Sequence, residues 1–231
     1  MDPLGWKTGL VTNASERSYA GATMSARVAK RRASLLDVAL TAMAKNRWRS
    51  TTVASLCSEA GLNKRYFYES FDDLDQVADE TIDEVAAEVG GAAITAYVST
   101  LGATLEQQAQ AAVEAIVDVL GTDQRKALVL LGGVPTSVDK EGHRGAVIAG
   151  LTTVLTEHAR KIHDVELEHD SLAATGPAFV IGGTAQAILS WVNGDLAVSR
   201  EQLIDDITAL WLALGQSAAE IARSRLDGNI P

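Results

Sequence analysis

Apolar residues recur along this chain mostly at helical spacing. Val53, Leu56, Cys57 and Ala60 fall at i, i+3, i+4 and i+7, one face of a short helix. Gly61 predicts its stop, and Asn63 suits the N-cap of a second short helix because its side chain can accept an orphan backbone N–H. Leu62, Phe67 and Phe71 continue the buried side, which leaves Lys64, Arg65, Tyr66 and Tyr68 outside. Upstream, Leu35, Leu36, Ala39, Leu40 and Met43 predict the core side of a helix from about Ala26 to Asn46. Trp48, in the loop that follows, reads as a packing residue.

Further along, Asp73 and Gln76 resemble a capping box, which predicts a helix through Leu74, Val77, Ile82 and Val85. Gly90 and Gly91 either end or bend it. Thr104 and Gln107 open another helix, with Ala112, Ile116, Val119 and Leu120 inside and an end expected at Gly121. A short apolar helix over 124–131 and a longer one over 139–162 come next, and 163–171 reads as a polar loop. The segment 172–192 is crowded with small residues, Gly176, Gly182 and Gly183 among them, which predicts close packing, since Gly is costly within a helix. The last helix starts at Ser199, boxed with Gln202, and Val198 can staple to Leu203. Leu203, Ile207, Leu210, Leu214 and Ile221 form one of its apolar stripes, and Ile204, Trp211 and Ala218 another. A surface that wide exceeds what one neighbour covers, so these two helices are expected to form half of an intermolecular four-helix bundle. The expected class is all-α.

Composition changes this picture in two places. The chain has 231 residues and a net charge of −10, which by itself argues against a nucleic-acid partner. The distribution reverses that. Residues 1–68 hold 11 Lys and Arg against 4 Asp and Glu, and the remainder holds 9 against 26. A basic end attracts phosphate while an acidic body is repelled from it, which would orient the molecule on a duplex. The single cysteine excludes an intrachain disulfide and fits a reducing cytoplasm. No apolar run approaches a membrane span and no signal-peptide stretch is present, so no membrane role is expected.

Two short helices, a tight turn at Gly61 and a cationic, aromatic outer face on the second make a helix-turn-helix suited to reading DNA. From about Arg27 to Val89 the chain resembles the N-terminal domain of the TetR (tetracycline-repressor) family of transcriptional regulators. The residues that carry the resemblance are the pair Thr51-Thr52, then Ala60-Gly61-Leu62-Asn63, and finally Tyr68 and Phe71. The family usually has Gly-Thr where Arg65-Tyr66 stand, His at Ser70, and a phosphate-holding Lys at Leu74. Residues 1–25 lack a clear period and are rich in Gly, Ser, Thr and Ala, which reads as a flexible leader. The resemblance implies a DNA-binding domain over 26–72 and an effector-binding and dimerisation domain over 73–231. Met24 is an alternative start to Met1, since Met24-Ser25-Ala26-Arg27 is a typical opening for the family. A further reading of the leader is an arm along DNA, with Arg17, Arg27, Lys30, Arg31 and Arg32 leading into the first helix.

The candidate DNA contacts are Thr51, Thr52, Asn63, Lys64, Arg65, Tyr66 and Tyr68. Arg or Lys can pair with a guanine edge, while hydroxyl, amide and helix-start N–H groups suit phosphate. The resemblance makes Tyr68 a phosphate-binding Tyr. Val113, Leu128, Val147, Leu151, Phe179 and Trp191 are candidates for the lining of an effector pocket, and each also reads as ordinary core. Cys57 reads as a small core residue. His143, His158, His163 and His169 are not spaced as metal ligands, no catalytic constellation is visible, and no cofactor is expected. The expected function is a repressor released from its DNA operator by a small molecule, working as a homodimer through the last two helices. The alternatives are a family member that has lost DNA binding and acts through protein partners, or a helical small-molecule binder, carrier or enzyme on the same fold.

Overall fold

The computed structural model describes residues 14–132 and 171–226. Among them the chain forms eight α-helices and no strand, an all-α architecture. They are α1 (Ala14–Ala44), α2 (Val53–Glu59), α3 (Lys64–Tyr68), α4 (Leu74–Ser99), α5 (Leu105–Thr122), α6 (Gln124–Leu130), α7 (Leu172–Val192) and α8 (Arg200–Leu226). A 3-10 turn over Trp48–Ser50 joins α1 to α2. The helix expected over 139–162, the four histidines, Val147 and Leu151 lie outside the described residues.

Three helices end by one device. Asn46, Gly61 and Gly194 take positive φ of 55, 67 and 80°. In each case the next residue's N–H reaches back five positions: Arg47 to Ala42, Leu62 to Cys57 and Asp195 to Ser190, each at 2.8 Å. This is the Schellman arrangement, which satisfies carbonyls that the helix leaves unpaired and needs a left-handed residue at its centre. The stop expected at Gly61 is therefore a capped turn, Gly194 closes α7 in the same way, and Asn46 provides the same conformation without being glycine.

Helix starts follow the sequence pattern closely. Thr104 accepts from the Gln107 N–H, and the Gln107 side chain accepts in return from the Thr104 N–H, a complete capping box. Ser199 accepts from the Gln202 N–H at 3.1 Å, but the Gln202 amide donates forward to Asp206 at 2.8 Å. Only half of that expected box forms. The structure adds a box between Thr52 and Ser55 at the start of α2.

Three expectations about element boundaries change. α1 begins at Ala14, earlier than the start expected near Ala26, so helix occupies part of the expected leader. α4 continues without a break past Gly90 and Gly91 to Ser99, since its packed residues Val85, Ala86, Val89 and Ala93 continue across them. α5 continues past Gly121 to Thr122. There a Cβ on residue 121 would stand 2.9 Å from Trp191 Cζ3, so this glycine, one residue before the end of α5, also permits the approach of α5 to α7.

One core joins the described parts. Leu35, Leu36, Ala39 and Met43 of α1 meet Leu56 and Cys57 of α2, Phe67 of α3 and Phe71, all buried. The same cluster continues through Val77 and Val85 of α4, Val113, Val117 and Leu120 of α5 and Ala127 of α6 to Leu203, Ile204 and Ile207 of α8. α6 packs against α1 as well as α4, which ties the larger bundle directly to the first helix.

Candidate nucleic-acid interface

α3 is only five residues long and owes its position to anchors. A helix this short is not stable alone, so packing must hold it. Phe67 is fully buried, Phe71 is 2% exposed, and their rings lie 5.8 Å apart. Leu62 packs against the same core. Asn63 caps the helix as its sequence implies, its side chain accepting from the Tyr66 N–H at 3.2 Å. With Phe67 turned inward, Lys64, Arg65 and Tyr68 are exposed on the other side, Tyr68 at 61%. The Phe67 ring meets the Tyr68 ring edge-on at 5.2 Å, which fixes the base of the exposed tyrosine.

The remaining candidates differ. Thr52 is exposed, but its hydroxyl oxygen caps α2 by accepting from the Ser55 N–H at 3.1 Å. Thr51 is half-buried and donates its hydroxyl to the Arg47 carbonyl at 3.1 Å. Both belong to the frame of the turn. Tyr66, expected outside, is half-buried, because the Arg31 guanidinium lies 4.1 Å from its ring centroid in a cation–π contact. Lys64 and Arg65, with Tyr68, are the side chains that stand clear.

Arg31 and Arg32 are the residues that sequence reasoning placed least well. Both were candidates for an arm along DNA, and both are engaged within the protein. Arg31 pairs with Glu69 at 3.4 Å as it covers Tyr66. Arg32 pairs with Glu80, and with Glu84 at 3.5 Å, and lies 4.9 Å from the Phe71 ring centroid. Arg27 and Lys30, close by on the middle turns of α1, remain exposed. Glu69 was not singled out at all. It takes Arg31 on one carboxylate oxygen and Arg65 Nε on the other, at 3.2 Å. The Arg65–Glu69 half of this was available from their i, i+4 spacing. The Arg31 half joins residues remote in sequence and has no local signal.

Leu74, where the family resemblance expects Lys, is half-buried and packs against the core. Cys57 is 2% exposed, and burial pushes its thiol up against the opposing charge of nearby Lys64, so it stays a protonated core residue. No group of three His, Cys, Asp or Glu side chains suited to a metal occurs among the described residues. No helix among them is long and apolar enough to cross a membrane.

The candidate pocket residues fall into different settings. Val113 is 1% exposed within the α5 core, and Leu128 on α6 is half-buried. Trp191 is half-buried, touches the Gly121 position and donates its indole N–H to the Val198 carbonyl at 3.1 Å. Phe179 is 68% exposed on α7 and so faces outward.

Comparisons with solved structures find the same fold in known regulators. The fatty acid degradation regulator FadR from Bacillus halodurans matches with a TM-score of 0.60 and 16% identity, over 80% of this chain and 96% of that one. FadR from Bacillus subtilis in complex with stearoyl-CoA matches with a TM-score of 0.62 and 15% identity, over 77% and 96%. A TetR-like transcriptional regulator from Rhodococcus sp. RHA1 matches with a TM-score of 0.59 and 16% identity, over 80% and 93%. No protein-family model matches the chain, and no curated protein matches it in sequence.

Proposed function

We propose that this chain is a ligand-responsive, sequence-specific DNA-binding transcriptional regulator, most simply a repressor released from its operator by a small molecule. The observation that carries the reading is α3: one aromatic anchor fully inside, and Lys64, Arg65 and Tyr68 presented together on the outside. Second helices of such motifs present this face to the major groove. The surplus of positive charge over residues 1–68 supplies phosphate attraction, and the acidic remainder disfavours other orientations. Likeness of fold to the FadR and TetR-like regulators supports the same reading.

A homodimer would place two copies of α3 roughly 34–36 Å apart on a pseudo-palindromic site. Its interface is assigned to α7 and α8, as their exposed apolar residues Phe179, Leu210 and Ile221 suggest. Effector and operator would then weaken each other by one shared coupling free energy. α6 suits the relay, since it packs on α5 and α7 as well as on α1 and α4. The stearoyl-CoA complex of the Bacillus subtilis relative makes a long-chain acyl-CoA the first effector to try. On this reading the protein binds and does not catalyse.

Selection from a random duplex pool tests the proposal, with wild type compared against a Lys64→Ala/Tyr68→Ala variant. Enrichment of a palindromic site that the variant fails to enrich is the expected result. Failure of wild type to enrich any sequence at low salt would favour the alternative of lost DNA binding. The pairing of Arg31 and Arg32 with acidic side chains, together with the packing of Leu74, is the observation behind that alternative.

A further inference from the structure

An acidic side chain, Glu69, caps the end of the candidate reading helix beside the exposed Arg65, and the geometry gives it a task. Glu69 Oε1 accepts from Arg65 Nε at 3.2 Å, while Glu69 Oε2 accepts from Arg31 Nη2 at 3.4 Å. Arg65 is 84% exposed along its side chain, whereas Arg31 is only 23% exposed and lies over the Tyr66 ring. One oxygen of the carboxylate is therefore tied to α1, and the other holds the mobile arginine. A bare arginine at this position would sample many rotamers. Engagement through Nε leaves both Nη groups for a partner outside, and a planar fork presented end-on matches the O6 and N7 acceptors of guanine.

We propose that Glu69 is a positioning residue for base readout: held by Arg31, it aims the free edge of Arg65 at a guanine in each half-site. The inference rests on the DNA-reading proposal above and adds the determinant of its sequence preference. An acidic side chain at a phosphate-rich surface is otherwise unfavourable, since it repels the backbone of every duplex alike. Its effects on specific and non-specific binding consequently have opposite signs. Loss of Glu69 should weaken the preference for one base pair and strengthen binding to arbitrary DNA.

The test uses the full chain and the duplex selected by wild type, with each half-site position changed in turn, plus an unrelated duplex of equal length. Wild type, Glu69→Ala, Glu69→Gln, Arg65→Ala and Arg31→Ala are titrated against all of them at one salt concentration. At one G·C position per half-site, the expected discrimination by wild type is about tenfold, and it should fall toward unity in Arg65→Ala and Glu69→Ala. Glu69→Gln keeps an acceptor for Nε and should retain part of the discrimination. Both Glu69 variants should bind the unrelated duplex more tightly than wild type. Arg31→Ala should blur the same position and no other. Thermal melting of each variant separates misfolding, which would lower specific and non-specific binding together. Unchanged base preference in Glu69→Ala, with the selected site still bound, would overturn the inference and leave the DNA-reading proposal standing. No selected site at all from wild type would overturn both.

Discussion

Arg125 Nη2 lies 2.9 Å from Asp37 Oδ1, a contact that joins α6 of the larger bundle to α1 of the helix-turn-helix unit. The same guanidinium grips Asp123 through Nε and Nη2, at 2.9 and 2.7 Å, and donates through Nη1 to the Thr41 hydroxyl at 2.6 Å. One turn position further, Lys126 Nζ reaches Glu88 on α4 at 2.6 Å. The start of α6 is thus bonded to α1 and α4, the two helices that flank α2 and α3 in the chain. A planar fork engaged on all sides cannot be replaced by a point charge.

Arg125→Ala should lower stability by about 1–2 kcal/mol, because it strips a part-buried network of its only shared donor. For a chain of this size that corresponds to roughly 2–8 °C in Tm. Arg125→Lys should recover little of it. If α6 relays effector binding, the fold-change in operator affinity caused by effector should shrink in both variants. A double-mutant cycle with Asp37→Ala should return a coupling of roughly 0.5–1.5 kcal/mol, measured by thermal or urea unfolding. A coupling near zero would mean that the α1–α6 bond adds nothing in solution.

Asp123 gives the same network a pH signature. The hydrogen bond from the Arg125 side chain holds its carboxyl below the usual carboxylate range, with burial opposing and the Arg125 backbone N–H and nearby charges assisting. A carboxylate whose folded pKa is depressed contributes stability that is fully present above its unfolded value, near 3.9, and is lost as pH falls through the folded value. Asp123→Asn keeps the N-cap but removes the charge. The Tm gap between wild type and Asp123→Asn should therefore be constant from about pH 5 to 8 and close below about pH 4. A gap that changed near neutrality would assign the contribution to another group.

Local patterns carried most of the elements, and long-range partners were what they lacked. The helix-turn-helix was legible because its signals are adjacent in sequence: the apolar face of Val53–Ala60, the Gly61 stop, the Asn63 cap. The all-α class followed in the same way. Gly121 does lie at the end of α5, one residue before Thr122, but its second role, admitting the Trp191 indole, has no local signal. Arg31 and Arg32 read as free cations because their partners, Glu69 in the turn after α3 and Glu80 on α4, are remote in sequence. Tyr66 moved inward for the same reason. The start of α1 was missed because residues 14–25 lack the apolar period by which helices are recognised in sequence.

The two kinds of glycine make opposite predictions. A Cβ at Gly121 would meet Trp191 Cζ3 at 2.9 Å and Cη2 at 3.0 Å, and the indole cannot swing freely while its N–H is bonded to Val198. Gly121→Ala should cost about 1–2 kcal/mol net, overpacking outweighing the gain in helix propensity, and should shift tryptophan fluorescence. At Gly91 nothing lies within 4 Å and the residue is helical and exposed. Gly91→Ala should stabilise α4 by roughly 0.5–1 kcal/mol in urea unfolding. If Gly91→Ala also weakened the effector response, α4 would need its glycines for bending and not merely tolerate them.

The proposed dimer depends on surfaces that the protomer leaves open. On α7, Phe179 is 68% exposed, and Gly182 and Gly183 have open space where a side chain would begin. On α8 the expected apolar stripe divides. Leu203 and Ile207 are buried within the protomer at 2 and 3% exposure, whereas Leu210 and Ile221 stand out at 59 and 40%. Trp211 belongs to the inner side, its indole N–H donating to the Thr184 hydroxyl at 2.8 Å. Charges placed on the outer side should therefore break association without unfolding the chain. Phe179→Glu/Leu210→Glu should sediment as a monomer with an unchanged helical spectrum. Operator affinity should drop by about 10²-fold or more, since the second half-site is no longer held at high effective concentration. Binding to an isolated half-site should change little. A variant that stayed dimeric would place the interface elsewhere, and one that was monomeric yet bound the full operator normally would show that a single α3 suffices.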